Sequence, residues 1–322
     1  MDSGPIRRKI VIDTDAGLDD AQAILMALAS DNVDVVAITT VLGNTTAPQV
    51  ANNVLRILKM ADRLDIPLYI GCNQSLNGYM IQGCHGYHGK DGLGDCPDEE
   101  APDLSIIKKE DGVDTLIQLS KEYTDLTLVC LGPLTNIATV LQKDRKFGSR
   151  LIECFIMGGN YYGKGNVTPS AEFNFSVDPE AAREVLMNLS CPKTLLGWEV
   201  CIDNPHSWDW YNTLMARKSQ KTQFIAKLDK YTLDTFYKPQ IKKGFADQQY
   251  VMADQNLMAV ALDTNVCVES MEVNADVEMK GELTRGQMVV DWRKTTGNEP
   301  NVKIVTKIDR HLVESMVMEA LG

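Results

Sequence analysis

The sequence contains no apolar run approaching the roughly 20 residues that a membrane-spanning helix needs, so no membrane partner is expected. It opens on a polar, basic stretch, Met1 to Lys9, without the apolar core of a secretory signal, and a cytoplasmic protein is expected. It has no excess of positive charge. Thirty-two Lys and Arg stand against 44 Asp and Glu, a net charge of -12, which disfavours nucleic acid and anionic surfaces as partners. No CxxC pair occurs among the eight cysteines, and a chain of this length without a signal is not expected to rest on disulfides. Cys84, His85, His88 and Cys96 cluster, but their spacing fits no common zinc pattern. No internal repeat, low-complexity tract or linker interrupts the chain, so residues 1–322 read as a single domain.

The hydrophobic pattern alternates between short apolar runs and helical periods. Buried strands are expected at 9–13, 33–40, 66–71, 126–131, 151–157, 194–200 and 302–306, because each is a short, β-branched, apolar run. Helices are expected at 48–60, 113–123, 134–142, 179–188, 254–262 and 312–321, with another opening at Asp19 and Asp20 and a helical region over 207–250. Such alternation implies an α/β fold with an open, mostly parallel, doubly wound sheet and helices on both faces. Two stretches break the rhythm: 72–102, with six glycines, and 158–165. Long loops inside a compact fold are usually functional.

The chemistry concentrates where the first strand turns into the first helix. Asp13, Asp15, Asp19 and Asp20 put four carboxylates into eight positions. Side chains alternate along a strand, so Asp13 and Asp15 point the same way. Gly17 is expected to let the backbone turn. A helix N-terminus suits Asp19 and Asp20, but not the two aspartates before it. A hard divalent cation accounts for all four. Two enzyme classes begin this way. The strand followed by Asp-x-Asp resembles the haloacid-dehalogenase-type phosphatases, with Asp13 as nucleophile, Asp15 as acid/base and Mg²⁺. Asp13-Thr-Asp-Ala-Gly-Leu-Asp-Asp also resembles, at every fixed position, the opening motif of the nucleoside hydrolases.

The second resemblance runs nearly the whole length. Val41-Leu-Gly-Asn-Thr, His88-Gly-Lys-Asp-Gly-Leu-Gly, Leu131-Gly-Pro-Leu-Thr-Asn-Ile-Ala, Met157-Gly-Gly, Gly165-Asn, Ala171-Glu-Phe-Asn with Asp178-Pro-Glu-Ala-Ala, and Gly281-Glu-Leu-Thr-Arg-Gly with Val289-Val-Asp follow in family order. One motif is weak evidence; seven in order are strong. By this resemblance Ca²⁺ is held by Asp15, Asp20, Asp254 and the Leu131 carbonyl. Asp19, Asn44, Asn166, Glu172 and Asn174 hydrogen-bond the sugar of a ribonucleoside, beside the Met157 carbonyl, with Asp254 also near it. Asp15 is the general base, and the protein is a homodimer or homotetramer. Three of these asparagines, Asn44, Asn166 and Asn174, lie in glycosylation sequons, as does Asn188. Glycans there would block the site, so a compartment without glycosylation is expected.

The chain departs from the family at the base. The inosine–uridine type has a histidine directly before the late metal aspartate; here the residue is Ala253, which has no proton to give. The purine-specific branch has tryptophans at this position and at that of His88, and this chain has neither. His88 is the remaining pocket histidine. After the sixth strand Glu199 replaces the family's aspartate. Tyr162, Trp198, Phe245 and Tyr250 are the aromatic candidates for the base pocket. A calcium-dependent nucleoside or ribose binder without turnover is the third reading.

Overall fold

The computed structural model describes residues 7–78, 86–98, 102–242 and 249–322. The first winding comprises β1 (Arg8–Thr14), α1 (Leu18–Ala29), β2 (Val33–Thr40), α2 (Ala47–Met60) and β3 (Leu68–Ile70). Then follow α3 (Gly112–Glu122), β4 (Leu126–Cys130), α4 (Thr135–Lys143), β5 (Glu153–Met157), α5 (Phe173–Val177), α6 (Pro179–Asn188), β6 (Lys193–Leu196) and α7 (Trp198–Asp203). The last third holds α8 (Trp208–Met215), α9 (Gln220–Thr232), α10 (Lys238–Lys242), α11 (Asp254–Leu262), β7 (Cys267–Val273), β8 (Ala275–Val277), β9 (Met288–Val290), β10 (Val302–Ile308) and α12 (Arg310–Leu321). No described helix is long and apolar enough to cross a membrane.

Eight strands form one sheet in the order β3-β2-β1-β4-β5-β6-β10-β7. All neighbours pair in parallel except β7, which runs antiparallel to β10 at the edge. Ile10, Val11 and Ile12 of β1 are all buried. A strand covered on both faces must be apolar at successive positions, which is why these runs do not alternate. The helices form two packs: α1 with α11, α12 and α9, and α4 with α3 and α6. The expected doubly wound architecture is therefore present. Its strand order reverses between β1 and β4, and in open parallel sheets ligands bind outside the strand ends at that reversal.

Polar residues punctuate the chain where backbone amides need partners. Asp111 caps α3 through the Val113 and Asp114 amides, Asp178 caps α6 through Ala181, and Asp309 caps α12 through His311 and Leu312. Two local expectations are corrected, and one set of strands had no expectation. The apolar run 194–200 is not one strand: β6 stops at Leu196, Gly197 caps α7, and Trp198, Glu199 and Val200 are helical. Short apolar runs do not distinguish strand from helix. Edge strand β7, with mostly exposed side chains, and the short β8–β9 pair were not legible as apolar runs. Finally, the left-handed residue in the first turn is Ala16, with φ 30°, whereas Gly17 has φ -84°, open to any residue. Gly17 is needed for space: a Cβ there would sit 2.6 Å from both Asn44 Nδ2 and His88 Nδ1.

Candidate active site

A cavity of about 360 Å³ opens at the carboxyl ends of β2, β1, β4 and β5, within the size range of small-molecule sites. Its floor is acidic. Asp15, Asp19, Asp20 and Asp254 line it together with Asn44, Leu131, Met157, Asn166, Glu172 and Asn174. Every metal and sugar residue expected from the sequence is therefore at one place, and His88 and Ala253 are there as well.

Each carboxylate is held differently. Asp20 accepts from the Gly17 amide at 2.8 Å and from the Thr14 hydroxyl, closing the first turn of α1 on itself. Asp15 accepts from the Asn44 amide at 2.8 Å. It is also wedged between two glycine backbones: a Cβ on Gly43 would lie 2.0 Å from Asp15 Oδ2, and one on Gly132 2.8 Å from Oδ1. The glycines of Leu-Gly-Asn and Leu-Gly-Pro thus exist to let Asp15 in. Asp254 is the first residue of α11, not its cap, and is buried beside Asp20. Asp13 lies beneath. Its Oδ1 accepts from Thr39 and, at 2.7 Å, from Asn136, tying β1 to β2 and α4. It is fully buried and not among the cavity-lining residues, so the nucleophile of the phosphatase reading is out of reach.

Burial and mutual repulsion push the cluster's carboxyls up. Asp19 is raised to about 6, chiefly by burial. Asp15, Asp20 and Asp254 are raised by burial and then by neighbouring carboxylates, Asp15 and Asp254 chiefly by Asp20 and Asp20 by Asp19. No described lysine or arginine is among the causes that set the Asp15, Asp20 and Asp254 values. Asn44 Oδ1 is buried without a partner. The donor oxygens of Asp19, Asp20 and Asp254 lie within 4.8 Å of one another. Concentrated, uncompensated oxygen donors suit a hard divalent cation. One point differs from expectation: the tightest trio contains Asp19, which had been assigned to the sugar, and not Asp15.

The neutral donors are fixed too. Asn174 Nδ2 donates to the Leu131 carbonyl at 2.8 Å and to the Met157 carbonyl at 3.1 Å. Glu172 caps α5 through the Asn174 and Phe175 amides and holds the Gly159 amide at 2.8 Å. Burial nevertheless raises it to about 7. Asn166 is exposed at the cavity.

Much of the remaining lining is aromatic or apolar. Trp198 is part of it as expected, with Tyr87, Phe173, Ile202, Phe236, Tyr237 and Val251, none of which the sequence singled out. A π-helical turn over Leu233–Tyr237, joining α9 to α10, carries Phe236 and Tyr237 there. Tyr162 does not belong: it is 66% exposed and stacks on Trp292. Tyr250 lies outside this lining, its hydroxyl accepting from Gln22. Phe245 falls outside the described residues, as do Cys84 and His85 of the cysteine–histidine cluster. Among the described residues the aspartate trio is the one group of His, Cys, Asp or Glu side chains whose donor atoms converge this closely. Glu199 is buried and accepts from the Tyr161 and Tyr162 amides at 2.9 and 2.7 Å, so it shapes the 158–165 loop and does not face the cavity.

Residues 10–315 match the family model of the inosine-uridine preferring nucleoside hydrolases. The chain belongs to this family. It is 30% identical over 320 residues to the inosine-uridine preferring nucleoside hydrolase of Crithidia fasciculata, covering 98% of this chain and 97% of that protein. It is 34% identical over 305 residues to the pyrimidine-specific ribonucleoside hydrolase RihA of Escherichia coli strain K12, covering 94% of each. A solved inosine-guanosine nucleoside hydrolase superposes with a TM-score of 0.88 at 30% identity, over 98% of this chain and 99% of that one. The protein is a hydrolase of N-glycosyl bonds, cleaving ribonucleosides, in a metal-dependent family. These relatives are named for three different base preferences, so membership does not fix the base.

Proposed function

We propose that the chain hydrolyses ribonucleosides to ribose and free base with Ca²⁺, held by Asp15, Asp20, Asp254 and the Leu131 carbonyl, with Asp19 within reach. The observation that carries this is the uncompensated carboxylate cluster in a cavity that aromatic side chains also line. When bound, the cation supplies charge that polarises the attacking water and engages the vicinal ribose hydroxyls. Asp15 is the general base. Opposite charge nearby favours the ionised form of a carboxyl that burial alone would keep protonated, and the two glycine backbones and the Asn44 amide fix its direction. Asn174 aims the Leu131 and Met157 carbonyls. Asp19, Asn44, Asn166 and Glu172 take sugar hydroxyls. The surrounding carboxylate and amide oxygens stabilise the positive charge that builds on the ribosyl ring as the C–N bond opens. Attack by one activated water, without a covalent sugar intermediate, follows the inverting course.

The exposed apolar residues Leu283, Val289 and Trp292 near the β8–β9 pair support a homodimer or homotetramer, and sequons inside the cavity support a cytoplasmic setting. A reducing-sugar assay over ribo- and 2′-deoxyribonucleosides, with and without EDTA, tests the function. Ribose release that EDTA abolishes and Ca²⁺ restores is expected, with deoxyribonucleosides poor. Release from no nucleoside refutes the activity, and release indifferent to EDTA refutes the metal.

A further inference from the structure

When the ribosyl C–N bond breaks, its electron pair goes to the base, which departs easily only if a proton meets it. Ala253 supplies none. His88 is a single donor: Nδ1 accepts from the Leu18 amide at 3.0 Å, so the ring's proton sits on Nε2. Burial lowers its pKa to about 4, so it is neutral near neutral pH.

The same lining holds two hydroxyls. Tyr87 Oη and Tyr237 Oη are 3.0 Å apart, and both residues line the cavity. The Val251 amide donates to Tyr237 Oη at 3.3 Å. An amide N–H can only donate, so the pair keeps both of its own protons. One bridges the two oxygens. The other has no acceptor among the described residues. Behind the pair lies a satellite cavity of about 20 Å³, room for one water. Tyr87, Tyr237, Asp19 and Val251 line it as well as the main cavity, and Asp229, Thr232 and Tyr250 line it alone. Asp229 is buried, accepts from the Tyr211 hydroxyl at 2.9 Å, and is raised by burial to about 7, so near neutral pH it holds a proton much of the time.

We propose that the Tyr87–Tyr237 hydroxyl pair protonates the departing base and is reloaded from Asp229 through the small cavity. The step rests on the nucleoside hydrolysis proposed above. The free hydroxyl proton bonds to the base as the C–N electron pair arrives. The Asp229 carboxyl proton passes through the water-sized space to the tyrosine oxygen, leaving a carboxylate. Solvent reprotonates Asp229 after the base leaves, and the proton taken from the attacking water leaves Asp15 for solvent. One water is consumed and no charge accumulates.

The test uses the full chain with Ca²⁺, assayed on nucleosides and on p-nitrophenyl β-D-ribofuranoside, whose leaving phenolate needs no proton. Tyr237→Phe and the Tyr87→Phe/Tyr237→Phe double variant are expected to lose roughly 100-fold or more in kcat on the nucleosides that the wild type cleaves, the usual worth of general acid catalysis, while nitrophenol release changes little. Asp229→Asn, acting through the tyrosines, shows the same substrate split with a smaller loss. Equal losses on both substrates, or no loss on nucleosides, overturn the proposal. A wild type that cleaves the nitrophenyl riboside but no nucleoside overturns it too, leaving ribosyl hydrolysis standing. A wild type that cleaves neither removes the underlying function, and the proposal with it.

Discussion

Replacing Asp254 by asparagine should stabilise the metal-free protein while abolishing its response to calcium. The donor oxygens of Asp19, Asp20 and Asp254 lie within 4.8 Å. Two unit charges at that distance repel by about 3.5 kcal/mol at an effective dielectric of about 20. Burial is the largest cause of the raised Asp254 pKa, followed by the charges of Asp20 and Asp19. A neutral amide of the same shape removes both costs. Proton uptake by the wild-type cluster already relieves part of the repulsion, so the gain is about 2–4 kcal/mol, not the full sum over two neighbours. With an unfolding entropy of about 2.1 cal/mol/K per residue, 322 residues turn this into a rise of roughly 3–6 °C in Tm. In saturating Ca²⁺ the wild type catches up. A ligand at a thousand times its Kd adds about 4.1 kcal/mol to it, enough to offset the variant's advantage, and the variant gains little. Thermal unfolding of both proteins in EDTA and in CaCl₂, followed by circular dichroism, reads all four values. A lower Tm for the variant in EDTA, together with an undiminished calcium shift, would mean that the trio is a hydrogen-bonded structural cluster, and the metal argument would fail.

Two further outcomes follow from the same geometry. In EDTA, stability should fall as pH rises from about 5 to about 7.5. Asp13 and Glu172 are raised to about 7 and Asp19 to about 6, so each binds its proton more tightly folded than unfolded. That contribution is complete below the unfolded pKa near 4 and is lost as pH climbs through 6 to 7. Urea unfolding at the two pH values checks it, and a flat or rising profile contradicts the burial of these groups. Gly43→Ala should cut kcat roughly 100-fold by displacing Asp15 about an ångström, since the added Cβ would stand 2.0 Å from Asp15 Oδ2. KM and the far-ultraviolet spectrum should change little, and a fully active variant would remove Asp15 from the role of base.

The sequence by itself determined the sheet, the first carboxylates of the cavity and the family. Local rules suffice there. A parallel strand buried on both faces must be a continuous apolar run, and Asp15, Asp19 and Asp20 come from one turn. The distant members, Asn44, Leu131, Glu172, Asn174 and Asp254, were legible through family-ordered motifs, not through any local signal. Some details were right in outcome and wrong in cause. Gly17 is required by the crowding of Asn44 and His88, neighbours by folding alone, while the strained turn falls on Ala16. Glu199 reads as a substituted pocket residue until its two oxygens are seen holding the 158–165 loop by its amides.

Only the tertiary structure decided the aromatic part of the cavity. Tyr87 and Tyr237 are 150 residues apart in sequence, and aromatic residues in a charged helix carry no mark that separates packing from function. The π-helical turn that rotates Phe236 and Tyr237 into the lining has no sequence signature either. Tyr162, Trp198 and Tyr250 looked equivalent as residues. The fold put one on the surface, one at the cavity and one behind it. A carboxylate cluster is written locally because like charges at one turn already demand a counter-ion. An aromatic surface takes its meaning from what it faces, and that is fixed only when the chain closes around it.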